Sequence, residues 1–443
     1  MQMSLNRIFY MSGSIHPLAQ TLNETLQTGD SPIFKFLSEK GRRAFFPSKG
    51  ILGQSAAARG ASINATIGTA FEEDGTPLCL ECLEKLVSLP STTFLYSPSY
   101  GNKDLRQMWR EKMVDKNPSL RGKDFSQPVV THALTHGLSV AGQLFLDDGD
   151  SVILPDLYWD NYELLFCESC GATLVTFPMF EEGRFNVTSL CSRLAEPGDK
   201  KVVLLNFPNN PTGYTATLED ADKIVDALLR TAKAGKRVTV LLDDAYFGLV
   251  YEEGVCTESL FARLANLHPN ILAVKLDGST KEDYVWGIRV GFITFASKGV
   301  TADQYRALES KAAGLVRGSI SSCTTIGQQL LLHAYADPDY AVQKRQKYEI
   351  LRSRYQKIKT IFENHPEYAE SFEPMPFNSG YFMCVKIKGE IDPEEVRLCL
   401  IENYSTGVIV LSGLIRLAIS SVKSEKLEQL FANIDSAVRD LKA

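Results

Sequence analysis

Lys281 and Arg289 lie eight residues apart in the segment Asp277-Gly278-Ser279-Thr280-Lys281-Glu282-Asp283-Tyr284-Val285-Trp286-Gly287-Ile288-Arg289-Val290-Gly291. The lysine follows an apolar run, Asn270 to Val274, that reads as a buried strand, and the arginine precedes a second run, Val290 to Phe295. At a strand end facing a cleft, apolar walls and a nearby guanidinium disfavour protonation of an amine, which is what Schiff-base chemistry with a carbonyl compound requires. The arginine is then placed to hold a dianionic phosphate. Taken alone, the pair reads more simply as a solvated lysine and a structural arginine, since long charged side chains are usually exposed.

Other segments change that balance. Lys201 to Leu205 reads as a strand ending in Asn206-Phe207-Pro208-Asn209-Asn210-Pro211-Thr212-Gly213, whose prolines and asparagines make a rigid loop. Arg237 to Leu242 is another continuous apolar strand, with Asp243-Asp244-Ala245-Tyr246 at its C-terminal end. Asn210, Asp243 and Lys281 therefore all follow strands. Gly137-Leu138-Ser139 supplies a small-residue helix start, a ready anion site, and Tyr158-Trp159-Asp160-Asn161-Tyr162 offers an aromatic face for stacking a ring or packing the core.

The elements that must position these residues are legible in outline. Ser151 to Pro155 and Ala172 to Phe177 read as further strands, and Thr217 with Asp220 caps a helix whose apolar face carries Leu218, Ala221, Ile224, Val225, Leu228 and Leu229. Repeated strand-helix-strand units predict an α/β fold with a mostly parallel central sheet sandwiched by helices and with ligands beyond the carboxyl ends of the strands. Helices are expected over Lys103 to Val114, Lys311 to Gly318, Thr324 to Tyr335 and Gln343 to Glu363. After them Gly380 to Val385, Ile415 to Ser420 and a helix from Ser424 to Leu441 predict a smaller α/β domain built with the N-terminal part. Residues 1–75 read as an arm, with a short helix around Ile33 to Arg43, and part of that small domain; 76–325 form the large domain and 326–443 the C-terminal small domain.

The 443 residues, 44% apolar and 23% charged, suffice for a large core. A net charge of −6 gives no basic footprint for nucleic acid, and no run of eighteen apolar residues is present to span a bilayer. The expected partners are small molecules and a second copy of the chain. The N-terminus lacks the pattern of a secretory signal, which makes the cytoplasm the default location. Cys79/Cys82 and Cys167/Cys170 have C-x-x-C spacing, but the first pair falls on a helical pattern and the second has no histidine nearby. No metal site is expected.

A planar cofactor carrying a pyridine nitrogen, a phenolic oxygen, a phosphate and an aldehyde accounts for the whole set, and pyridoxal 5'-phosphate is such a molecule. Asp243 would keep the ring nitrogen protonated, and Asn210 and Tyr246 would hydrogen-bond the phenolate. Lys281 would bond the aldehyde and, once displaced by the substrate amine, carry the Cα proton. Arg289 and Gly137-Leu138-Ser139 would hold the phosphate, Trp159 would stack on the ring, and Arg416 would clamp the substrate's α-carboxylate.

Asn210-Pro211-Thr212-Gly213, Asp243-x-x-Tyr246 and Lys281-x5-Gly287-x-Arg289-x-Gly291, in this order and spacing, resemble the fold-type I pyridoxal-phosphate aminotransferases of the class I/II family, from about Ile63 to Arg416. The resemblance implies a homodimer with active sites at the subunit interface, where Tyr96 reaches the neighbouring subunit's phosphate. Ile63-Asn64-x-x-Ile67-Gly68 with Glu73-Asp74-Gly75-x-Pro77 is similar to the substrate loop of the aspartate and aromatic branch, which makes Gly68 a substrate-binding residue. Tyr96-x-Pro98-x-x-Gly101 is similar to that branch's tyrosine loop, and Val316-Arg317-Gly318-x-x-Ser321-Ser322 to the segment whose arginine binds a distal carboxylate. Gly278 departs from the pattern, standing where many members have a phosphate-binding serine, so Ser279, Thr280 or Ser139 is expected to supply the hydroxyl. The activity implied is ping-pong transamination between an L-amino acid and a 2-oxo acid such as 2-oxoglutarate. A β-eliminating carbon-sulfur lyase would use the same residues. A ligand-sensing module would need a helix-turn-helix and a basic surface at the N-terminus, and neither is visible in residues 1–60.

Overall fold

The computed structural model describes residues 15–28, 34, 37, 42–43, 50–84 and 91–442. The helix expected around Ile33 to Arg43 lies largely outside them. In chain order the strands that matter here are β1 (Ile63–Asn64), β2 (Val129–Thr131), β3 (Ser151–Pro155), β4 (Thr173–Phe177), β5 (Lys200–Asn206), β6 (Arg237–Asp243), β7 (Ile271–Gly278), β8 (Gly291–Ala296), β9 (Phe372–Pro374), β10 (Phe382–Ile387), β11 (Thr406–Gly407), β12 (Ile409–Leu411) and β13 (Leu414–Ala418). Of the helices, those that matter here are α1 (Lys103–Lys116), α2 (Ala133–Phe145), α3 (Leu218–Lys233), α4 (Ala302–Ile320), α5 (Thr325–Ala336), α6 (Tyr340–Asn364), α7 (Pro393–Tyr404) and α8 (Leu427–Lys442).

Seven strands form one sheet in the order β2-β8-β7-β6-β5-β3-β4, parallel except for β8, which runs antiparallel to both its neighbours. Its central strands are apolar along their length because helices cover both faces: Val202 to Leu205 in β5 and Val238 and Val240 to Leu242 in β6 are all buried. On one face the Trp109 ring of α1 stacks on Phe292 of β8 at 4.3 Å; on the other, Phe145 of α2 meets Phe295 edge-on. The α3 cap forms as the sequence predicts, with the Thr217 hydroxyl accepting from the Asp220 N–H at 3.1 Å.

A second sheet, β9-β10-β13-β12, is antiparallel throughout. The N-terminal segment joins it. β1 pairs in parallel with β11, and the Ala418 N–H at the end of β13 donates to the Ala65 carbonyl at 2.8 Å. α6 packs against α8 on this side, whereas α5 packs against α1, so the helical layer of the large sheet extends past residue 325. Among the described residues, no helix is long and apolar enough to cross a membrane.

Candidate active site

The register of the large sheet sets Asn206 beside Asp243 and Asp243 beside Leu276, so that β5, β6 and β7 end together. A cavity of about 180 Å³ opens there, lined among others by Gly68, Trp159, Asn210, Asp243, Tyr246, Lys281, Arg289 and Arg416. The residues singled out from strand ends thus meet the arginine of the small sheet in one space.

Asp243 is buried at its floor. Its Oδ2 accepts the Tyr162 hydroxyl at 2.6 Å and its Oδ1 the Ala245 N–H at 3.1 Å. Burial pushes this carboxyl above its ordinary value, while the Tyr162 hydroxyl, the Lys281 charge and the Ala245 N–H pull it back. Asn206 fixes the adjacent loop by donating to the Asp243 carbonyl at 2.7 Å and accepting the Asn210 N–H at 2.7 Å.

Lys281 follows β7 in the short helix Ser279–Glu282, and its Nζ lies 5.1 Å from the centre of the Tyr246 ring. Burial lowers the amine to about 8; Asp243 works against that shift and Arg289 with it. The two following residues are pinned. Glu282 accepts from Lys116 (2.8 Å) and Lys344 (2.7 Å), and Asp283 accepts from the Tyr335 and Tyr340 hydroxyls (2.7 and 2.6 Å) and from Lys344 (3.1 Å). The Lys281 carbonyl itself accepts the Tyr381 hydroxyl at 3.0 Å. The backbone that carries Lys281 is therefore held in place by its neighbours' bonds and by its own carbonyl.

Arg289 takes a left-handed backbone, φ +58°, rare for a residue with a side chain, and one guanidinium nitrogen donates to the Trp286 carbonyl at 3.2 Å. Opposite, Arg416 is buried, donates to Asn210 Oδ1 (3.1 Å) and the Thr66 carbonyl (3.0 Å), and lies over the Phe382 ring at 4.4 Å. Gly68 closes that wall. A Cβ there would stand 2.8 Å from the Phe382 ring.

The expected phosphate cradle needs correction. α2 begins at Ala133, not at Gly137, so Gly137, Leu138 and Ser139 lie more than a turn inside the helix, where N–H groups are already committed. Leu138 is buried in the core, and Gly137 serves packing, since a Cβ would come within 3.0 Å of Leu276 and 3.2 Å of Thr131. The helix start that reaches the cavity is Ala133-Leu134-Thr135. Ser279 is corrected too: its hydroxyl is buried and donates to the Val290 carbonyl at 3.3 Å, whereas Thr280 lines the cavity with a buried Oγ1 that has no partner among the described residues. Gly278 has a physical reason, because a Cβ there would meet the Val290 carbonyl oxygen at 2.7 Å.

Two further expected residues stand outside the cavity of their own chain. Tyr96 is 90% exposed, and Arg317 lies exposed on α4, donating to the Ser321 hydroxyl at 2.8 Å. Sequence reasoning missed the role of Tyr162 against Asp243, of Asn206, and of Ile51 and Phe382 as cavity walls. The aromatic run had flagged Tyr162 only as a stacking face.

A family model described as aminotransferase class I and II matches residues 69–434. Aspartate aminotransferase of Geobacillus stearothermophilus is 27% identical over 259 residues, 57% of this chain and 60% of the relative. A probable N-acetyl-LL-diaminopimelate aminotransferase of Bacillus subtilis is 27% identical over 258 residues, 57% of this chain and 59% of the relative. The match thus spans under two thirds of these curated relatives. Among solved structures, an aminotransferase from Anaerococcus prevotii superposes with a TM-score of 0.75 at 22% identity, covering 98% of this chain and 99% of its own. The cytoplasmic aspartate aminotransferase of Saccharomyces cerevisiae gives 0.74 at 18% identity, with 92% and 99% covered. At these identities the likeness concerns the fold, which is that of the fold-type I aminotransferases.

Proposed function

The chain belongs to the class I and II aminotransferase family, and on that footing we propose that it moves an amino group between an L-amino acid, of the aspartate or aromatic type, and a 2-oxo acid such as 2-oxoglutarate. The observation that carries this reading is the convergence of Asp243, Lys281, Arg289 and Arg416 on one cavity. Members of the family use pyridoxal 5'-phosphate, which when bound supplies a sink for the electron pair left as the substrate Cα proton departs.

The residues present fit that cofactor. Thr280 Oγ1 is a buried hydroxyl with no partner among the described residues, and it lines the cavity together with the start of α2 and the Arg289 guanidinium, a donor set suited to a phosphate. Asp243 is the carboxylate for a protonated ring nitrogen, Asn210 and Tyr246 offer donors to a phenolate, and Trp159 offers a flat wall. Lys281 Nζ, with its lowered proton affinity, is the amine that would hold the aldehyde carbon, the aldehyde oxygen leaving as water, and once displaced by the substrate amine it would carry the substrate Cα proton as general base. Arg416 retains a buried Nε with no partner among the described residues to grip an α-carboxylate, with Asn210 and Thr66 fixing its other nitrogens.

Arg416→Ala is expected to raise KM for amino and oxo substrates by at least about thirtyfold, the effect of losing roughly 2–5 kcal/mol from a desolvated charge pair. An unchanged KM in steady-state assays rules out the clamp.

The same reading makes the enzyme a homodimer. Phe94, Leu95 and Tyr96 are 80%, 66% and 90% exposed, an apolar run suited to burial against a second copy, with Tyr96 and Arg317 serving the neighbouring site. Free thiols such as Cys82, Cys167 and Cys256 support a reducing, cytoplasmic setting. The β-eliminating lyase finds no support among the relatives reported, all named aminotransferases. A screen of amino donors against 2-oxoglutarate tests the proposal: aspartate or an aromatic amino acid should yield glutamate with ping-pong kinetics, and ammonia with pyruvate from cystathionine would favour the lyase. Arg317→Ala should cost aspartate far more than phenylalanine; equal loss for both removes Arg317 from substrate recognition.

A further inference from the structure

Arg354 is a buried cation of α6 that the reaction above leaves unused, its side chain 1% exposed. Its Nη1 donates to the Ser420 carbonyl at 2.6 Å and its Nη2 to the Phe71 carbonyl at 2.6 Å, while Nε and Nη2 both reach Glu73 Oε1, at 3.1 and 2.8 Å. Those carbonyls belong to the two segments that make the substrate end of the cavity. Phe71 stands three residues after Gly68, and Ser420 four after Arg416.

Further bonds stitch the segments to each other, among them the Ala418 N–H to the Ala65 carbonyl at 2.8 Å and the Ser421 hydroxyl to the Asn64 carbonyl at 3.0 Å. The Phe71 N–H donates to the Ser420 carbonyl at 3.1 Å, the Ser420 hydroxyl to the Thr69 carbonyl at 3.0 Å, and Arg416 itself to the Thr66 carbonyl at 3.0 Å. Glu73 is held in turn by the Ser424 N–H and hydroxyl, both at 2.9 Å. A displacement of the strap 66–73 would therefore move the Arg416 guanidinium directly. Four bonds from one planar fork fix the strap in both directions, which the compact, rotatable ammonium of a lysine cannot do.

We propose that Arg354 is a positioning residue for substrate binding: without touching the substrate, it sets the distance between Gly68 and Arg416 and so the affinity for an α-carboxylate. This rests on the reading of Arg416 as the carboxylate clamp.

The test compares wild type, Arg354→Lys and Glu73→Gln, each loaded with pyridoxal phosphate, by steady-state kinetics, visible spectrum and calorimetric titration with succinate, a carboxylate with no amine to transfer. Arg354→Lys is expected to raise KM and the succinate Kd at least tenfold, with kcat within threefold and the spectrum unchanged. A Kd within twofold of wild type, or a fall in kcat and a changed spectrum at constant Kd, overturns the assignment. Glu73→Gln, at a half-exposed position, covers the case in which Arg354→Lys does not fold: it should raise the succinate Kd at least threefold, and a value equal to wild type overturns the proposal. Wild-type protein that neither transaminates nor binds succinate would sink the functional reading and this inference together, whereas binding that survives both substitutions sinks the inference alone.

Discussion

Lys281→Ala protein is expected to fold, to lose at least about 10⁴-fold in kcat, and to release pyridoxal phosphate on denaturation after borohydride treatment, whereas wild type retains it covalently. The substitution should not harm the fold. Burial lowers the amine to about 8 from the 10.5 of an ordinary lysine, so below pH 8 the native state holds a charge in a place that disfavours it. That penalty is fully present below pH 8, fades as pH rises toward 10.5, and is absent in the alanine variant. The same shift gives a second readout. In cofactor-free wild type, acylation of Lys281 followed by peptide mass spectrometry should rise with pH through a midpoint near 8, because at pH 7.5 the neutral fraction is about two hundredfold larger than for an unperturbed lysine. A midpoint above 10, or an alanine variant that still turns over, removes Lys281 from the chemistry.

How much of this site was legible before the fold was seen follows from what each residue's neighbours are. Asn210, Asp243 and Lys281 each stand just past a strand buried on both faces, and such strands are unbroken apolar runs that periodicity finds easily. Arg416 was legible as part of a strand in the second sheet. The phosphate cradle was misplaced because glycine near a helix start serves packing as readily as anion binding: Gly137 accommodates Leu276 and Thr131. The true start carries no side-chain cap at His132, so no signal marked it. The choice between Ser279 and Thr280 depended on which hydroxyl lines the cavity, a fact of three dimensions. Tyr162 meets Asp243 across 81 residues of sequence, and Arg354 meets Phe71 across 283. Such long-range pairs leave no trace in local pattern. Tyr96 and Arg317 are harder still, since their proposed partners lie on another copy of the chain.

Asp243→Asn puts the proposed ring-nitrogen partner to the most direct test. The amide nearly matches the carboxylate in shape and can still accept one of its two hydrogen bonds, from Tyr162 at 2.6 Å or Ala245 at 3.1 Å, so the fold around β6 should persist. What it lacks is the charge. Breaking a buried ion pair by neutralising one partner costs about 3–5 kcal/mol, which here predicts a fall in kcat of about 10²- to 10⁴-fold. Lys281 should still be trapped by borohydride. Tyr162→Phe separates charge from support: it keeps the carboxylate but removes a hydrogen bond to a charged group, worth about 1.5–3 kcal/mol, and so predicts a smaller, roughly tenfold or greater loss. That bond lowers the proton affinity of Asp243 against the upward push of burial. Without it the carboxyl protonates at higher pH, and the acid limb of the kcat/KM profile should move toward neutrality. An asparagine variant with wild-type kcat, or a Tyr162→Phe profile that shifts toward acid, would show that Asp243 does not face a cationic ring nitrogen.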